Sequence, residues 1–361
     1  MKLYENKQWI SDIDEVTAGL PELAELEGKS VLVTGAAGLI GSSVIDILLR
    51  YNDTHDDTSS GKIRIYAAGR SIERMEERFG ARSSEGDLVF VSYDAAKPDQ
   101  SFDFSCDYVI HGAGNAYPGA ILKEPVETML ANFTGIKVLL DLAKGCGTKR
   151  VLYISSSEVY GTGRSGDRPH REDEASCIDL LNPRSSYSVG KCAAETLCVS
   201  YSGEYGIGTV IVRPGHIYGP TASPLDDRVS SVWTHAAARG DNIVMKSDGS
   251  SIRSYCYCPD CASAILKVLL RGGNGRAYNI SNPGSVITIR EMAGYITEAA
   301  GVSLICEKAA AEEKKGFNPM SNSSLDSTSL ESLGWRGIFD AGRGFSHTVS
   351  ILKEMIDGSC S

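Results

Sequence analysis

Ser30-Val31-Leu32-Val33-Thr34-Gly35-Ala36-Ala37-Gly38-Leu39-Ile40-Gly41 sets the start of the fold. The first five residues are mostly apolar and β-branched and read as a buried strand, which runs without a break into glycines at every third position. The apolar stretch from Ser42 to Arg50 then reads as a helix. In such a unit Gly35 permits the tight turn, Gly38 lets the backbone approach a pyrophosphate, and Gly41 lets the helix pack closely on the strand. The helix N-terminus faces the phosphates. A glycine-rich turn alone carries little information; the flanking strand and helix supply the context this one requires.

Outward from the turn, strands and helices alternate. Strands are predicted over Lys62 to Ala68, Leu88 to Tyr93, Tyr108 to His111 and Arg150 to Ser155, with helices over Ile72 to Phe79 and Pro125 to Ala143. This rhythm implies an α/β fold with a doubly wound parallel sheet covered on both faces by helices. A helix over Pro183 to Tyr205 and a strand over Thr209 to Arg213 continue it. Beyond Pro214 the pattern loosens into helix Val229 to Arg239, strands Ile243 to Lys246 and Arg253 to Cys258, helix Cys261 to Leu270 and final helices. The expected division is a helical extension at 1–28, a dinucleotide-binding domain at 29–215 and, at 216–361, mainly a smaller C-terminal α/β substrate lobe. Trp9, Ile10, Ile13, Val16 and Leu20 give the extension its helical spacing. Asn52 to Gly61 reads as a polar surface loop and Ser321 to Ser329 as a Ser-rich loop. Ligands of open parallel sheets bind beyond the carboxyl ends of the strands, so the cleft between lobes is the expected site.

The 361 residues are enough for one large or two interlocked domains. With 46 acidic against 36 basic side chains and no dense Lys/Arg block, neither a nucleic acid nor an anionic membrane is an expected partner. The polar start and the lack of a long apolar run point to a cytoplasmic protein without a membrane span. Its 10 irregularly spaced cysteines fit reduced thiols. Cys256, Cys258 and Cys261 could begin a zinc site, but a fourth ligand with matching spacing is missing; small buried side chains at a strand end and helix start are the other reading, and no metal is expected.

Chemistry is concentrated in Tyr187-Ser188-Val189-Gly190-Lys191, where a phenol and an ammonium share one helix face. A Lys⁺ beside the hydroxyl is expected to favour the phenolate and lower its reference pKa of about 10. Upstream lies Ile154-Ser155-Ser156-Ser157-Glu158-Val159-Tyr160-Gly161, and downstream Arg213-Pro214-Gly215-His216-Ile217-Tyr218-Gly219-Pro220.

With the glycine turn, these segments resemble, in order and spacing, the extended short-chain dehydrogenase/reductases, from about residue 29 to near the end of the chain. The resemblance implies a Rossmann-type domain, a nicotinamide cofactor and a nucleotide-sugar substrate. Within that superfamily the chain resembles most the UDP-glucuronate decarboxylases, through Ser156 to Gly161, through Pro183, Arg184, Tyr187, Gly190 and Lys191, and through Ala194-Glu195-Thr196 and Asp227-Arg228-Val229. It implies catalytic roles for Tyr187, Lys191, Ser156 and Glu158: Tyr187 as base at the sugar C4 hydroxyl, Lys191 holding phenolate and ribose, Ser156 bonding the same oxygen, and Glu158 as acid/base or ring-orienting group. A loop-capping carboxylate is the structural alternative for Glu158. The 4,6-dehydratases carry an Asp-Glu pair where this chain has Ser157-Glu158, so the dehydratase reaction lacks its acid; a 4-epimerase needs neither carboxylate and is the nearest rival. A non-catalytic cofactor-binding regulator is the reading from another class.

The expected cofactor-binding residues are Gly35, Gly38, Leu39, Ile40 and Gly41 in the turn, Arg70, Asp94 and Ala95 at later strand ends, Gly112, Ala113 and Asn132, and Tyr187, Lys191 and Pro214. NAD is expected because the hydride returns within one turnover. NADP is the alternative, since Gly69-Arg70 stands where an acidic residue would bind the ribose, and Arg70 could pair with a 2′-phosphate or stack on adenine. Asp94 could equally form a turn. Ser157, Arg184, His216, Arg228 and Arg253 are the substrate candidates, with the two later arginines assigned to the diphosphate. Trp233 and Val244 could line a base pocket, with core packing the preferred reading. Three departures from the decarboxylases point to a divergent substrate or another anionic group: Leu130 for a lysine, His216 for an asparagine, and no second diphosphate arginine in Lys315 to Ser324. The resemblance also implies a homodimer, paired through the Tyr187 helix and the Pro125 to Ala143 helix.

Overall fold

The computed structural model describes residues 2–55, 61–80, 82, 85–162, 168–308 and 320–358. Strand β1 (Ser30–Thr34) leads through the glycine turn into helix α2 (Leu39–Thr54), after an N-terminal helix α1 (Lys7–Ala18). Then follow β2 (Arg64–Gly69), α3 (Ile72–Phe79), β3 (Leu88–Ser92), β4 (Tyr108–His111), a short α4 (Pro118–Lys123), α5 (Pro125–Cys146) and β5 (Arg150–Ile154). Helix α6 (Ser186–Tyr205) and β6 (Thr209–Pro214) complete the alternation. The strands pair in the order β3-β2-β1-β4-β5-β6 and then β10 (Arg276–Ile280), each pair parallel. This is the Rossmann-type doubly wound sheet expected from the sequence. Its strands are apolar on both faces because helices cover both, and Val31, Leu32, Val33, Leu152, Val210 and Val212 are fully buried.

The second lobe is built from β7 (His216–Tyr218), α7 (Val229–Ala238), β8 (Ile243–Met245), β9 (Ile252–Tyr257), β11 (Val286–Thr288), α9 (Ile289–Ala300), β12 (Leu304–Cys306), β13 (Asn322–Ser323), a one-turn α10 (Thr328–Glu331) and α11 (Ala341–Asp357). Strands β7, β11 and β13 all pair with β9, and β12 pairs with β8. The expected division at 215 is crossed. Helix α8 (Cys258–Arg271) packs on α2, and β10 extends the first sheet beside β6.

Three local expectations change. Helix α2 begins at Leu39, directly after the turn, and runs on to Thr54, so Asn52 is not in a surface loop. Its buried amide pairs with both the N–H and the carbonyl of Ile63 and with Asp87, a long-range partnership that residue type does not announce. The Ser-rich stretch is partly strand and helix: Ser323, Ser324 and Ser327 are buried, and β13 pairs with β9. Cys256, Cys258 and Cys261 are buried across the junction of β9 and α8, and the described cysteines are free.

The N-terminal extension acquires a role. Trp9, Ile13, Val16 and Leu20 are buried as their spacing implies. Helix α1 lies on α2, α8 and α11, joining helices of both lobes.

Candidate active site

A cleft of about 930 Å³ opens where β4, β5 and β6 end, walled on the other side by residues following β7 and β8 and by β9. Tyr187, Lys191, Ser156 and Glu158 all line it. Tyr187 and Lys191 come from adjacent turns of α6 and are 7% and 6% exposed, so the pair is a buried one rather than a solvated helix face. Ser156 caps the short turn Ser157–Tyr160, its hydroxyl accepting the Glu158 N–H at 3.2 Å. The Ser188 hydroxyl donates to the Glu158 carboxylate at 3.4 Å. Glu158 thus caps no loop; its carboxylate points to α6.

The electrostatics differ from the expectation for Tyr187. Burial pushes its phenol up to about 12, the Glu158 charge pushes the same way, and the Ser156 hydroxyl and Arg228 oppose them. Lys191 does not reach the phenol. Its ammonium donates to the Ile154 carbonyl at 2.7 Å and sits 4.7 Å from the Tyr153 ring centroid and 5.6 Å from that of Tyr187. Burial lowers Lys191 to about 7, against the Glu195 carboxylate and Cys198. Glu158 is raised by burial, opposed by Arg184 and the Ser188 hydroxyl. Desolvation therefore outweighs pairwise charge at all three groups, which spacing alone does not reveal.

The glycine turn has the shape a dinucleotide pyrophosphate requires. Gly35 has φ +73°, and a Cβ there would lie 2.8 Å from the Gly112 carbonyl oxygen. At Gly41 a Cβ would lie 2.3 Å from the Gly35 carbonyl oxygen, so the first helical turn is pressed onto the loop itself rather than onto the strand. Gly38 is the N-cap and offers no side chain to the helix, leaving the first-turn N–H groups around Leu39 and Ile40 for an anion. The Thr34 hydroxyl accepts from the N–H groups of Gly112 and Ala113 at 3.2 and 3.3 Å, locking the β4 loop against the turn.

Other cofactor candidates divide. Ile40, Gly112 and Pro214 line the cleft with Tyr187 and Lys191. Asn132 is buried, its amide donating to Thr128 and accepting from the Tyr153 hydroxyl, so it props the floor. Ala95 is packed in the core against Gly135. Asp94 forms a turn, accepting the Ala96 N–H at 3.2 Å, and Arg70 is exposed at the end of β2; neither lines the cleft.

All five substrate candidates, Ser157, Arg184, His216, Arg228 and Arg253, line the cleft. Arg228 is gripped by Asp226, and Arg253, only 4% exposed, donates to the carbonyls of Ile252 and Met320 at 2.8 and 2.9 Å. Burial with Arg253 and Arg228 nearby lowers His216 to about 3, keeping its ring neutral. Trp233 and Val244 also line the cleft, contrary to the core reading. Leu130 is 48% exposed on α5 and outside the cleft wall, so its replacement of a lysine takes no charge from the cleft in this chain. Residues 315–319 of the region expected to lack an arginine lie outside the described residues; Met320 lines the cleft. Sequence reasoning missed Asp227, whose carboxylate crosses the cleft mouth to accept the Gly119 N–H at 2.7 Å. Its place beside Arg228 was visible, but its partner was not. Among the described residues no group of three or more His, Cys, Asp or Glu is arranged for a metal, and no helix is long and apolar enough to cross a membrane.

A seven-stranded Rossmann-type sheet with a buried Tyr-Lys pair and a half-buried serine at its strand ends defines an extended short-chain dehydrogenase/reductase. The chain belongs to the NAD dependent epimerase/dehydratase family, whose sequence model matches residues 31–281. It is 30% identical over 305 residues to UDP-glucuronic acid decarboxylase 3 of Arabidopsis thaliana, covering 84% of this chain and 83% of that protein. To a trifunctional UDP-glucose 4,6-dehydratase/UDP-4-keto-6-deoxy-D-glucose 3,5-epimerase/UDP-4-keto-L-rhamnose-reductase of the same plant it is 29% identical, over 72% of this chain but 37% of that protein. Its fold is that of UDP-glucose 4-epimerase from Thermotoga maritima, solved with UDP-glucose, at a TM-score of 0.74 and 22% identity over 91% of this chain and 99% of that one. The relatives make this an enzyme family of nucleotide-sugar decarboxylases, epimerases and dehydratases.

Proposed function

We propose that this chain is a UDP-glucuronate decarboxylase-like enzyme that oxidises the sugar at C4, releases the C6 carboxylate as carbon dioxide and restores the C4 hydroxyl. What supports the reading is the meeting of Ser156, Glu158 and Tyr187 in one buried wall, where Glu158 lacks a second acid at Ser157 and is held toward its protonated form. NAD, when bound, accepts the hydride from C4 and later returns it. Once the phenol has given up its own proton, which the positive charge of a bound nicotinamide would favour against the burial that opposes it, Tyr187 takes the C4 hydroxyl proton as that hydride departs, with Ser156 donating to the same oxygen. The resulting ketone is β to the carboxylate, so the C5–C6 bond breaks and its electron pair enters an enolate. Glu158 delivers the proton to C5 and is reprotonated from solvent; Tyr187 returns its proton to the C4 oxygen. The balance is one nucleotide-sugar acid and one proton giving one nucleotide pentose and carbon dioxide.

Arg184, Arg228 and Arg253 are the anion-binding side chains of the same cleft, with Arg228 and Arg253 assigned to the diphosphate and Ser157 and neutral His216 to sugar hydroxyls. NAD is the cofactor in this reading; exposed Arg70 is the residue that would favour NADP, and mass spectrometry of the copurifying dinucleotide separates them. The working form is a homodimer. Incubation of the full chain with UDP-glucuronate and NAD tests the reaction: carbon dioxide and a UDP-pentose are expected, and their absence overturns the decarboxylase. Conversion to the 4-epimer without loss of mass installs a 4-epimerase, and loss of water a dehydratase. A Tyr187→Phe chain that keeps full function in cells would make it a cofactor-binding regulator.

A further inference from the structure

Beneath the catalytic wall lies a buried ion pair that the proposed chemistry does not use. Glu195, 9% exposed, stands one turn past Lys191 on α6. Its carboxylate accepts the Ser155 hydroxyl at 2.5 Å and both Nε and Nη2 of Arg213, at 3.0 and 2.7 Å. Arg213 in turn donates to the Tyr160 hydroxyl and the Glu172 carbonyl, both at 3.0 Å. The Tyr160 hydroxyl donates to Asn279 at 2.6 Å, on β10. Every strong partner is therefore fixed by another element.

The contacts have a register. Lys191 and Glu195, on successive turns of one helix, bind Ile154 and Ser155, successive residues at the end of β5. Ser156 is the next residue, and Glu158 follows two further on. Two-point attachment fixes both the rotation of α6 and its height against the loop, where a single bond would leave a pivot. The distance from the helix face carrying Tyr187 to the loop carrying Ser156 and Glu158 is thereby set from below.

We infer that Glu195, held by Arg213, is a positioning residue: through Ser155 it sets the register of the Tyr187–Lys191 helix against the Ser156–Glu158 loop, and it places a carboxylate one helical turn from Lys191. The inference rests on the proposed catalytic use of this wall. The lysine is also faced by Tyr187 and Cys198 on its own helix, Tyr153 on β5 and His111 on β4, and of all these Glu195 is the carboxylate. Glu195 itself is faced by Arg213 on β6 and by Cys192 and Cys198.

The test uses the full chain labelled with ¹³C at lysine Cε, the Lys191 signal being assigned by its loss in Lys191→Met. In Glu195→Gln the Lys191 titration midpoint is expected to fall by about one unit from the wild-type value, the size of a neighbouring-charge effect. Ser155→Ala keeps the ion pair and removes the tether; its thermal midpoint should stay within about 3 °C of wild type while its own Lys191 midpoint also falls. With UDP-glucuronate as probe, kcat in Ser155→Ala should drop roughly tenfold at unchanged KM, the pattern of misplaced catalytic groups. A Lys191 midpoint that stays at the wild-type value in both variants overturns the inference, as does wild-type kcat in Ser155→Ala. Wild-type protein inert on UDP-glucuronate counts against the proposed function, and the lysine titration then decides the inference by itself. Should Glu195→Gln fail to fold, Ser155→Ala decides it.

Discussion

At the level of single residues, burial sets the character of the site. Glu158 and Tyr187 both favour their protonated forms, and Lys191 falls to about 7, because each is removed from water more completely than it is paired. Burial that raises Glu158 makes its carboxyl a readier proton donor, which is what the enolate of the proposed decarboxylation needs. Glu158→Gln should therefore allow oxidation but slow completion: absorbance of reduced cofactor at 340 nm builds up while pentose release falls about 10²-fold. Wild-type pentose release in that variant would remove Glu158 from the chemistry. Lys191 leaves a thermodynamic trace as well. Between about 7 and the unfolded lysine value of about 10.4, the unfolded chain holds a proton that the folded chain has released, so stability rises with pH across that window. The urea midpoint should climb from pH 7 to pH 9.5 in the wild type and climb less in Lys191→Met; equal slopes would show a lysine of ordinary affinity.

At the level of elements, the glycine turn shows what a sequence can reveal. The β1 strand, the turn and the presence of a helix after it were legible because local geometry dictates them, an apolar β-branched run and a glycine free to take positive φ at Gly35, whereas the helix start at Leu39 was not. Gly41→Ala would put a methyl 2.3 Å from the Gly35 carbonyl. The helix must then lift from the turn, at roughly 1–3 kcal/mol, and binding of the dinucleotide should weaken with it. Denaturation and NADH titration measure the two effects; unchanged values in both would mean that the turn yields freely. Helix α3 and strand β4 likewise fall where their patterns place them. What stayed hidden depends on partners far away in the chain. Asn52 looked like a loop residue because its partners, Ile63 and Asp87, come from other segments. Lys191 was expected to serve Tyr187, and a strand-end carbonyl accepts its hydrogen bond instead. Trp233 and Val244 have core side chains, yet the second lobe turns them into the cleft. The four catalytic candidates themselves were legible through ordered motifs, whereas the Glu195 clamp beneath them follows from no motif spacing.

At the level of the whole molecule, two surfaces of the Rossmann lobe are covered differently. On the first, helix α1 acts as a strap between lobes: buried Asp12 accepts from the Tyr257 hydroxyl at 2.8 Å and pairs with His347 at 2.9 Å, while Trp9 donates to Asp46 of α2 at 3.0 Å. Asp12→Ala would leave the Tyr257 hydroxyl buried without its acceptor and should cost roughly 2–4 kcal/mol, read as a lower urea midpoint; an unchanged midpoint would mean that the strap carries no load. On the second surface none of the described residues covers the outer side of α5. Its inner side meets α6 so closely that a Cβ at Gly190 would lie 3.3 Å from that of Asn132, while Val126, Met129, Leu130 and Phe133 recur on its outer side at 63, 41, 48 and 40% exposure. Spacing of three and four residues makes these one stripe, and Val199 of α6, 46% exposed, adds to the apolar character of the helix pair. A contiguous exposed apolar stripe of this kind is unusual on a chain with net charge −10. The proposed homodimer would bury it, α5 and α6 of one protomer against those of its partner. Light scattering should give twice the chain mass for the wild type and the single chain mass for Phe133→Asp. The variant's secondary structure should be intact, because Phe133 is not part of the monomer's core. A wild-type mass equal to one chain, or a Phe133→Asp variant that stays paired, would place the stripe outside any interface.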